Sequence, residues 1–176
     1  MDARAGRPVT APVLVGRDPE LTVVGSLLAG VAGGGGSLLV LGDPGIGKSA
    51  LAEAAIRQAR DRGMRVLACA GTESEARLSF AGLHQLLRPV LAGASGLPPD
   101  QRDALLTALG MAGGPAPAFP VVGLAVLELL GTAGAPVLAV AEDVHWLDIS
   151  TCEVLAFVSR RLGADPVGLL GTARDT

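Results

Sequence analysis

The 176 residues are enough for one domain with a substantial core. Apolar residues make up 49% of the chain and charged residues 18%, a composition that excludes a disordered protein. The net charge of -3 argues against a basic nucleic-acid-binding surface, and the two cysteines, Cys69 and Cys152, are too few for a disulfide framework.

Two long stretches, 21–42 and 105–127, contain no charged residue and raise the question of membrane insertion. A run of four glycines at 33–36 interrupts the first stretch, and three prolines at 115–120 interrupt the second. Neither stretch is continuously apolar over the roughly 20 residues that a spanning helix needs. The first ten residues also lack the pattern of a signal peptide. We therefore expect a cytoplasmic chain without a membrane segment.

Short apolar runs alternate with amphipathic segments along the chain. The apolar runs predict β-strands at 37–41, 64–70, 136–141 and 167–172. The amphipathic segments predict helices at 19–28, 48–62, 80–91, 99–109, 121–130 and 150–162. Asp18 is the expected cap of the first helix, and Gly63 is expected to end the second. Because short buried strands that alternate with helices form parallel sheets covered on both faces, the sequence predicts a three-layer α/β/α fold.

The turn between the first strand and the second helix has the sequence GDPGIGKS. Gly42, Gly47, Lys48 and Ser49 match the pattern G-x-x-x-x-G-K-[ST] at every specified position. In such a P-loop, backbone N–H groups and the helix N-terminus surround phosphate oxygens, the lysine reaches the β- and γ-phosphates, and the serine ligates magnesium. The sequence therefore predicts an MgATP site. Its residues are Gly42, Asp43, Pro44, Gly45, Ile46, Gly47, Lys48, Ser49 and Ala50.

Of the 14 Lys and Arg side chains in the chain, only the one at position 48 is a lysine. A general preference for arginine would have replaced this lysine as well. The position therefore requires a compact ammonium group, for which a guanidinium group does not substitute. The alternative, a glycine-rich turn with a solvated lysine, is disfavoured because the motif lies between a strand and a helix.

Two adjacent acids, Glu142 and Asp143, follow the third predicted strand. Open α/β sheets bind their ligands at the carboxyl ends of the strands, where these acids are expected to lie. One acid can hold magnesium through water, and the other can orient or deprotonate the attacking water. The alternative is a solvated acidic turn before the next helix, and the P-loop favours the functional interpretation.

Three further residues at this edge allow both a functional and a structural interpretation. Arg174, at the end of the last strand, can meet the γ-phosphate as it develops charge, or can simply be solvated. His145 and Trp146 follow the acids, and a pair of this kind more often packs than binds a ligand.

These motifs resemble those of a known family. GDPGIGKS, AEDVHWLD and GTARD are similar to the AAA-like ATPase module of signal-transduction ATPases with numerous domains (STAND), as found at the N-terminus of large LuxR-type bacterial transcriptional regulators. VLVGRDPEL at 13–21 is similar to the N-terminal box of that family, and LSFAGLHQLLRPVL at 78–91 to its segment between the second strand and the acidic strand. The resemblance implies a lead-in at 1–12 and a P-loop ATPase core at 13–176.

The resemblance implies a role for each matching residue. Lys48 and Ser49 hold phosphates and magnesium. The remaining matches are Val15, Gly16 and Arg17 near the adenine, Glu142 as the metal-coordinating acid, Asp143 as the water-activating acid, and Arg174 as the arginine after the fourth strand. Many members have two aspartates where this chain has Glu142 and Asp143, and the longer glutamate is still expected to reach magnesium through water.

The family also implies the strand order 2-3-4-1, in which the fourth strand lies between the first and the third. In the family a fifth strand, a helical lid, repeats and a DNA-binding helix-turn-helix follow, and these are absent from this sequence. The resemblance therefore implies an N-terminal fragment whose ATPase activity is weak or absent and whose first strand is an open edge. We expect such an edge to promote self-association, and we expect no direct nucleic-acid binding by this segment.

Three functions fit the sequence. The leading one is a STAND-type switch, set by ATP binding and slow hydrolysis. A small P-loop kinase is the first alternative, and it would place the first and third strands side by side. Its lid arginines would have to be Arg160 and Arg161, which the sequence predicts to lie mid-helix. The second alternative is a module that binds nucleotide without turnover.

Overall fold

The computed structural model describes residues 16–175, so the lead-in at 1–12 and Val15 lie outside the described residues. The helices are α1 (Asp18–Gly30), α2 (Lys48–Asp61), α3 (Ala81–Leu87), α4 (Pro99–Ala108), α5 (Phe119–Gly131) and α6 (Ile149–Ser159). The strands are β1 (Gly36–Leu41), β2 (Arg65–Ala70), β3 (Val137–Glu142) and β4 (Val167–Ala173). Short 3₁₀ helices are found at Val31–Gly33, Leu91–Gly96 and Val144–Trp146.

The strands form one parallel sheet in the order β1-β4-β3-β2. β4 lies between β1 and β3, so that Gly171 pairs with Leu39 on one side and with Ala141 on the other. This confirms the predicted strand order and the α/β fold class. Within residues 16–175, β1 and β3 are not neighbours, although the kinase alternative required them to be.

Helices cover both faces of the sheet. On one face, α3, α5 and α6 enclose the larger core, to which Leu83, Leu129 and Val154 belong. On the other face, α1 and α2 pack through residues such as Val24 and Leu51. β3 and β4 are buried along nearly their whole length. The central strands therefore hold the chain segments that follow them in fixed positions at the carboxyl edge of the sheet.

Of the predicted helix ends, the start of α1 is wrong and the end of α2 is confirmed. The predicted cap Asp18 is wrong, because Arg17 occupies the N-cap position and Asp18 is the first helical residue. The side chain of Arg17 makes no capping hydrogen bond, which leaves it available for other contacts. Gly63 ends the second helix as predicted, since its φ of 73° is left-handed and its N–H donates to the Arg60 carbonyl.

The helix predicted at 80–91 is wrong in extent, because α3 covers only Ala81–Leu87. Phe80 has a φ of 62° and so cannot be its first helical residue. Near the other end, Pro89 has no N–H with which to continue the ladder.

The sequence predicted that Arg160 and Arg161 lie in the middle of a helix, and this prediction is wrong. α6 ends at Ser159, Arg160 is its C-cap, and Gly163 follows with a left-handed φ of 48°. The guanidinium of Arg161 lies 3.7 Å from the centroid of the Phe157 ring. This helix therefore ends earlier than its apolar pattern indicates, and the left-handed Gly163 belongs to the turn that follows.

β1 is one edge of the sheet in the described part of the chain. Its residues Leu39 and Leu41 are 55% and 54% exposed, because α6 covers β3 and β4 but leaves this side of β1 open. The predicted edge position is thus confirmed for residues 16–175. Self-association through this edge stays a prediction.

α5 is the helix of the second charge-free stretch. It is 13 residues long, and Val122, Ala125 and Val126 are buried in the larger core. No helix within residues 16–175 combines the length and the apolar character needed to cross a membrane.

Candidate functional site

The P-loop connects the end of β1 to the start of α2, as the sequence predicted. Gly45 and Gly47 have φ values of 78° and 95°, which are left-handed conformations that glycine adopts without a steric penalty. α2 begins at Lys48, and no side chain caps its N-terminus. The N–H groups of its first turn therefore have no intrahelical partner and face the position where an anion binds in such loops.

Lys48 folds back across the loop that precedes it. Its Nζ atom donates to the carbonyl oxygens of Gly42 at 2.7 Å and Asp43 at 2.9 Å. These two bonds hold the ammonium group over the loop rather than out in solvent. A phosphate bound in the loop would meet this charge together with the backbone N–H groups.

Arg17 reaches the P-loop from the start of α1. Its Nη2 atom donates to the carbonyl oxygen of Ile46, and its Nη1 atom donates to Glu20 Oε1 at 2.5 Å. The hydrogen bond from Arg17 lowers the pKa of the Glu20 carboxyl group. The structure therefore brings Arg17 to the phosphate loop, while the roles of Gly16 and Arg17 near an adenine stay predictions.

The first of the two acids, Glu142, is the last residue of β3 and lies close to the P-loop serine. Burial raises the pKa of Glu142, a hydrogen bond with Ser49 opposes the rise, and the neighbouring charges of Asp143 and Glu53 add to it. The Ser49 hydroxyl and a carboxylate are thus within reach of one another at the carboxyl edge of the sheet. Oxygen atoms of this kind are the ligands that Mg²⁺ prefers, so the residues present fit a magnesium ion.

The second acid, Asp143, is in a left-handed turn with a φ of 49°. Its N–H donates to Thr172 Oγ1 at 3.1 Å, and its carbonyl accepts from the Trp146 N–H at 2.7 Å. Thr172 is buried on β4, with 2% of its surface exposed. Thr172 has no role that the sequence indicates, although it lies within the GTARD motif, because only the pairing of β3 with β4 brings it beside Asp143.

Gly71 supports the same turn from the side of β2. Its N–H donates to the Glu142 carbonyl at 2.8 Å. A Cβ atom at Gly71 would lie 2.4 Å from the Asp143 carbonyl oxygen and 2.6 Å from the Leu147 nitrogen. The absence of a side chain therefore lets the backbone of the acidic turn lie directly against the end of β2.

Arg174 follows β4 and lies beside the His145–Trp146 pair. Its N–H donates to His145 Nδ1 at 3.4 Å, and its guanidinium carbon lies 6.0 Å from the centroid of the Trp146 ring. The next residue, Asp175, donates from its N–H to the Gly42 carbonyl at 3.4 Å, so the chain passes beside the start of the P-loop. A contact between Arg174 and a γ-phosphate stays a prediction.

His145 and Trp146 contact each other, with ring centroids 5.4 Å apart and the planes tilted by 46°. In the described part of the chain, His145 Nε2 is buried without a hydrogen-bond partner. The contact between the two rings is of the packing kind that the sequence favoured, whereas the unpartnered Nε2 is not explained by packing.

Asp148 is a buried acid whose role the sequence did not indicate. It is 3% exposed and caps α6. Its Oδ1 accepts from the N–H groups of Phe80 and Thr151, and its Oδ2 accepts from the Gly82 N–H and the Thr151 hydroxyl. Asp148 thereby ties the entry of α3 to the turn that carries Glu142 and Asp143. The signal for the cap was present in the sequence, as an aspartate just before a helix, but its partners on α3 are distant in sequence.

Residues 13–170 match the sequence model of a family described as the AAA ATPase domain. The chain belongs to this family. It is therefore an AAA-type P-loop ATPase module, of a family that binds nucleotide, usually with Mg²⁺. The P-loop and the acidic strand of this AAA domain are both within the matched residues. A search of the curated proteins gives no match.

Solved structures that resemble this AAA domain in fold include two archaeal proteins. Cdc6p from Pyrobaculum aerophilum has a TM-score of 0.60 and 16% identity, and the match covers 96% of this chain and 42% of that one. The Aeropyrum pernix ORC2 protein, described in ADPNP-ADP complexes, has a TM-score of 0.58 and 19% identity, with coverages of 97% and 44%. This AAA domain therefore spans less than half the length of either protein.

Proposed function

We propose that this AAA domain binds MgATP in the P-loop at 42–50 and hydrolyses it slowly, as the nucleotide switch of a STAND-type regulator of the LuxR class. The observation that carries the proposal is the position of β4 between β1 and β3. With this order, the P-loop after β1, the acids after β3 and Arg174 after β4 all lie at the carboxyl edge of adjacent strands. Ligands bind at this edge in open α/β sheets.

Each residue has a distinct task in the proposed reaction. Lys48 and the N–H groups at the start of α2 bind and orient the phosphates. Ser49 and Glu142 would hold the magnesium ion, which when bound neutralises charge on the β- and γ-phosphate oxygens. Asp143 orients a water molecule for in-line attack on the γ-phosphate and accepts its proton. Arg174 would stabilise the charge that develops on the γ-phosphate.

The kinase alternative has less support. α6 runs from the carboxyl end of β3 to the amino end of β4, so its C-terminus lies at the edge of the sheet opposite the P-loop. Arg160 and Arg161 are at that end, and Arg161 is stacked on Phe157. Neither arginine is placed to act in a lid over a nucleotide bound at the other edge.

The regulatory part of the proposal rests on the sequence motifs. The acidic strand ends in AEDVHWLD and the last strand in GTARD, and together with GDPGIGKS these motifs resemble the STAND family. Nucleotide binding is further supported by the ORC2 structure of similar fold, which is described with ADPNP and ADP. A role in transcription and binding of DNA by another part of a longer protein are implied by the resemblance alone.

Isothermal titration with MgATP tests the binding step. We expect Lys48→Ala to weaken binding roughly ten- to a hundredfold, since a hydrogen bond to a charged group contributes about 1.5–3 kcal/mol. Arg57→Ala is the matched control, because it removes a positive charge from the exposed side of the same helix. Equal affinities for the wild type and Lys48→Ala would contradict the P-loop assignment.

Phosphate release under saturating MgATP, measured in the longer protein that the family resemblance implies, separates the switch from the module that binds without turnover. The switch predicts slow release by the wild type that Asp143→Asn lowers further. No release above the buffer blank would instead support the binding-only alternative.

A further inference from the structure

The apex of the P-loop has few packing contacts of its own. Ile46, at this apex, is 46% exposed and lies between the left-handed glycines Gly45 and Gly47. Apart from the residues adjacent in the chain, no atom comes within 4 Å of the position that a Cβ would occupy at either glycine. Within the loop, the Ile46 N–H makes only a long bond of 3.4 Å to the Asp43 carbonyl. The Ile46 side chain does lie against Gly42, whose Cβ position is 3.1 Å from Ile46 Cγ2, but these contacts leave the Ile46 carbonyl free to bond outside the loop.

Arg17 supplies a contact of this kind. Its guanidinium donates to the Ile46 carbonyl and to Glu20, and its side chain is 27% exposed. α1, which begins directly after Arg17, is anchored in the core by Val24 and Leu28. A rigid helix is thus connected to the apex of the loop through one forked side chain.

The contact with the carbonyl has a consequence for the neighbouring N–H group. Ile46 C=O and Gly47 N–H belong to the same peptide unit, which is planar and trans, so the two groups point in opposite directions. A bond that holds the carbonyl toward α1 therefore aims the Gly47 N–H away from α1. In a P-loop, backbone N–H groups at these positions bind phosphate oxygens.

We propose that Arg17 is a positioning residue for the phosphate-binding loop, which it holds through the Ile46 carbonyl without contacting the nucleotide. Glu20 takes part by fixing the guanidinium against α1. The proposal rests on nucleotide binding at the P-loop and assigns Arg17 a task other than the adenine contact implied by the family resemblance.

A direct contact with adenine, or a simple attraction between charges, would also make binding depend on Arg17, with different consequences. If Arg17 contacts adenine, its removal weakens the binding of ATP but not that of inorganic tripolyphosphate, which has no base. If Arg17 only attracts the phosphates through its positive charge, its removal weakens the binding of both ligands. Such an attraction would also make removal of the negative charge at Glu20 strengthen binding. If Arg17 positions the loop, loss of Glu20 weakens binding, because the guanidinium loses its second contact.

The test is isothermal titration of the full chain with MgATP and, separately, with magnesium tripolyphosphate. We expect Arg17→Ala to weaken both ligands by the same factor, about tenfold, and Glu20→Gln to weaken both several-fold. Arg102→Ala is the matched control, since Arg102 forms a similar pair with Asp103 on α4 at 3.1 Å, and it should leave both affinities unchanged. Thermal unfolding of each variant reports whether the fold is retained.

Three results would overturn the proposal. They are unchanged affinities in Arg17→Ala, a loss confined to ATP, and stronger binding of both ligands by Glu20→Gln. If Arg17→Ala does not fold, Glu20→Gln still tests the proposal, because weaker binding supports a positioning role and stronger binding contradicts it. Failure of the wild type to bind either ligand would contradict the proposed function itself. Wild-type binding that Lys48→Ala removes and Arg17→Ala leaves intact would contradict only the role of Arg17.

Discussion

The backbone N–H of Asp143 donates a hydrogen bond to the hydroxyl oxygen of Thr172 across the β3–β4 boundary, over 3.1 Å. Asp143 has a φ of 49°, and the left-handed region costs a residue with a side chain about 1–2 kcal/mol. Thr172 is buried and well placed to offset part of that cost. The conformation of the proposed water-activating residue thus depends on a side chain of the neighbouring strand.

Thr172→Val should lower ATP turnover about tenfold while leaving ATP affinity unchanged. Valine preserves the shape of threonine but cannot accept the Asp143 N–H, so the turn loses the bond that fixes its carboxylate. Phosphate release and isothermal titration measure the two quantities. Thr172→Ser keeps the acceptor and should retain most of the turnover, and equal losses in the two variants would contradict this role of the hydroxyl group.

Asp143→Asn should lower turnover by at least about tenfold with little effect on ATP binding, since a general base contributes about a hundredfold or more in most enzymes. Combined with Thr172→Val, it should show no further loss, because the threonine acts only through Asp143. Steady-state phosphate release by the wild type, the two single variants and the double variant forms a double-mutant cycle that measures this coupling. Independent, multiplicative losses would mean that Thr172 acts by another route.

Gly71→Ala should destabilise the fold by about 1–3 kcal/mol, the range for overpacking at a closely packed position. Its new Cβ would meet backbone atoms of Asp143, Trp146 and Leu147 at 2.4–2.7 Å, and backbone cannot move aside as a flexible side chain can. Gly30→Ala is the control, because at the end of α1 no atom other than those of its chain neighbours and its own helix backbone lies within 4 Å of its Cβ position. Urea denaturation compares the two, and equal stabilities would show that the acidic turn shifts without cost.

Glu142→Gln should raise the melting temperature at neutral pH in the absence of nucleotide. Burial raises the pKa of Glu142 above its ordinary value of 4.5, so the folded state binds a proton more readily than the unfolded state does. This acid therefore lowers stability as pH rises from the ordinary value through the raised one, and glutamine carries no such dependence. Melting curves should converge below pH 4.5, where the carboxyl group is protonated in both states. A lower melting temperature for Glu142→Gln at neutral pH would contradict this.

Asp148→Ala should cost about 2–4 kcal/mol of stability, because buried donors at Phe80, Gly82 and Thr151 lose their acceptor. Chemical denaturation measures the loss. Asp103→Ala removes an aspartate whose side chain is 69% exposed and should change stability by less than about 0.5 kcal/mol. A similarly small effect at Asp148 would show that water or other groups satisfy these donors.

The sequence located the P-loop and the acids because each depends on local spacing. The glycines of GDPGIGKS are required by backbone conformations inside one turn, and the two acids follow directly from the end of an apolar strand. The alternation of short strands and helices likewise predicted the α/β class. The order of the strands was predicted only through the family resemblance, since periodicity does not indicate which strands are neighbours.

The ends of the helices were harder to predict, for local reasons that compete with apolar periodicity. A left-handed Phe80 and Pro89 confine α3, and a left-handed Gly163 follows the early end of α6. The apolar pattern continues through these positions because it reflects burial, and residues in buried turns are apolar as well. The pattern therefore does not show where the helix ends.

The sequence by itself determined the α/β class and the P-loop, and it predicted which residues bind phosphate and metal, since that chemistry belongs to residue types at fixed spacing. Only the tertiary structure decided which residues position them. Thr172, Gly71 and Asp148 act on the acidic turn, and Arg17 acts on the phosphate loop, each through a backbone group distant in sequence. Any residue has such a backbone group, so no motif marks these contacts, and they become visible only when the strands are placed side by side.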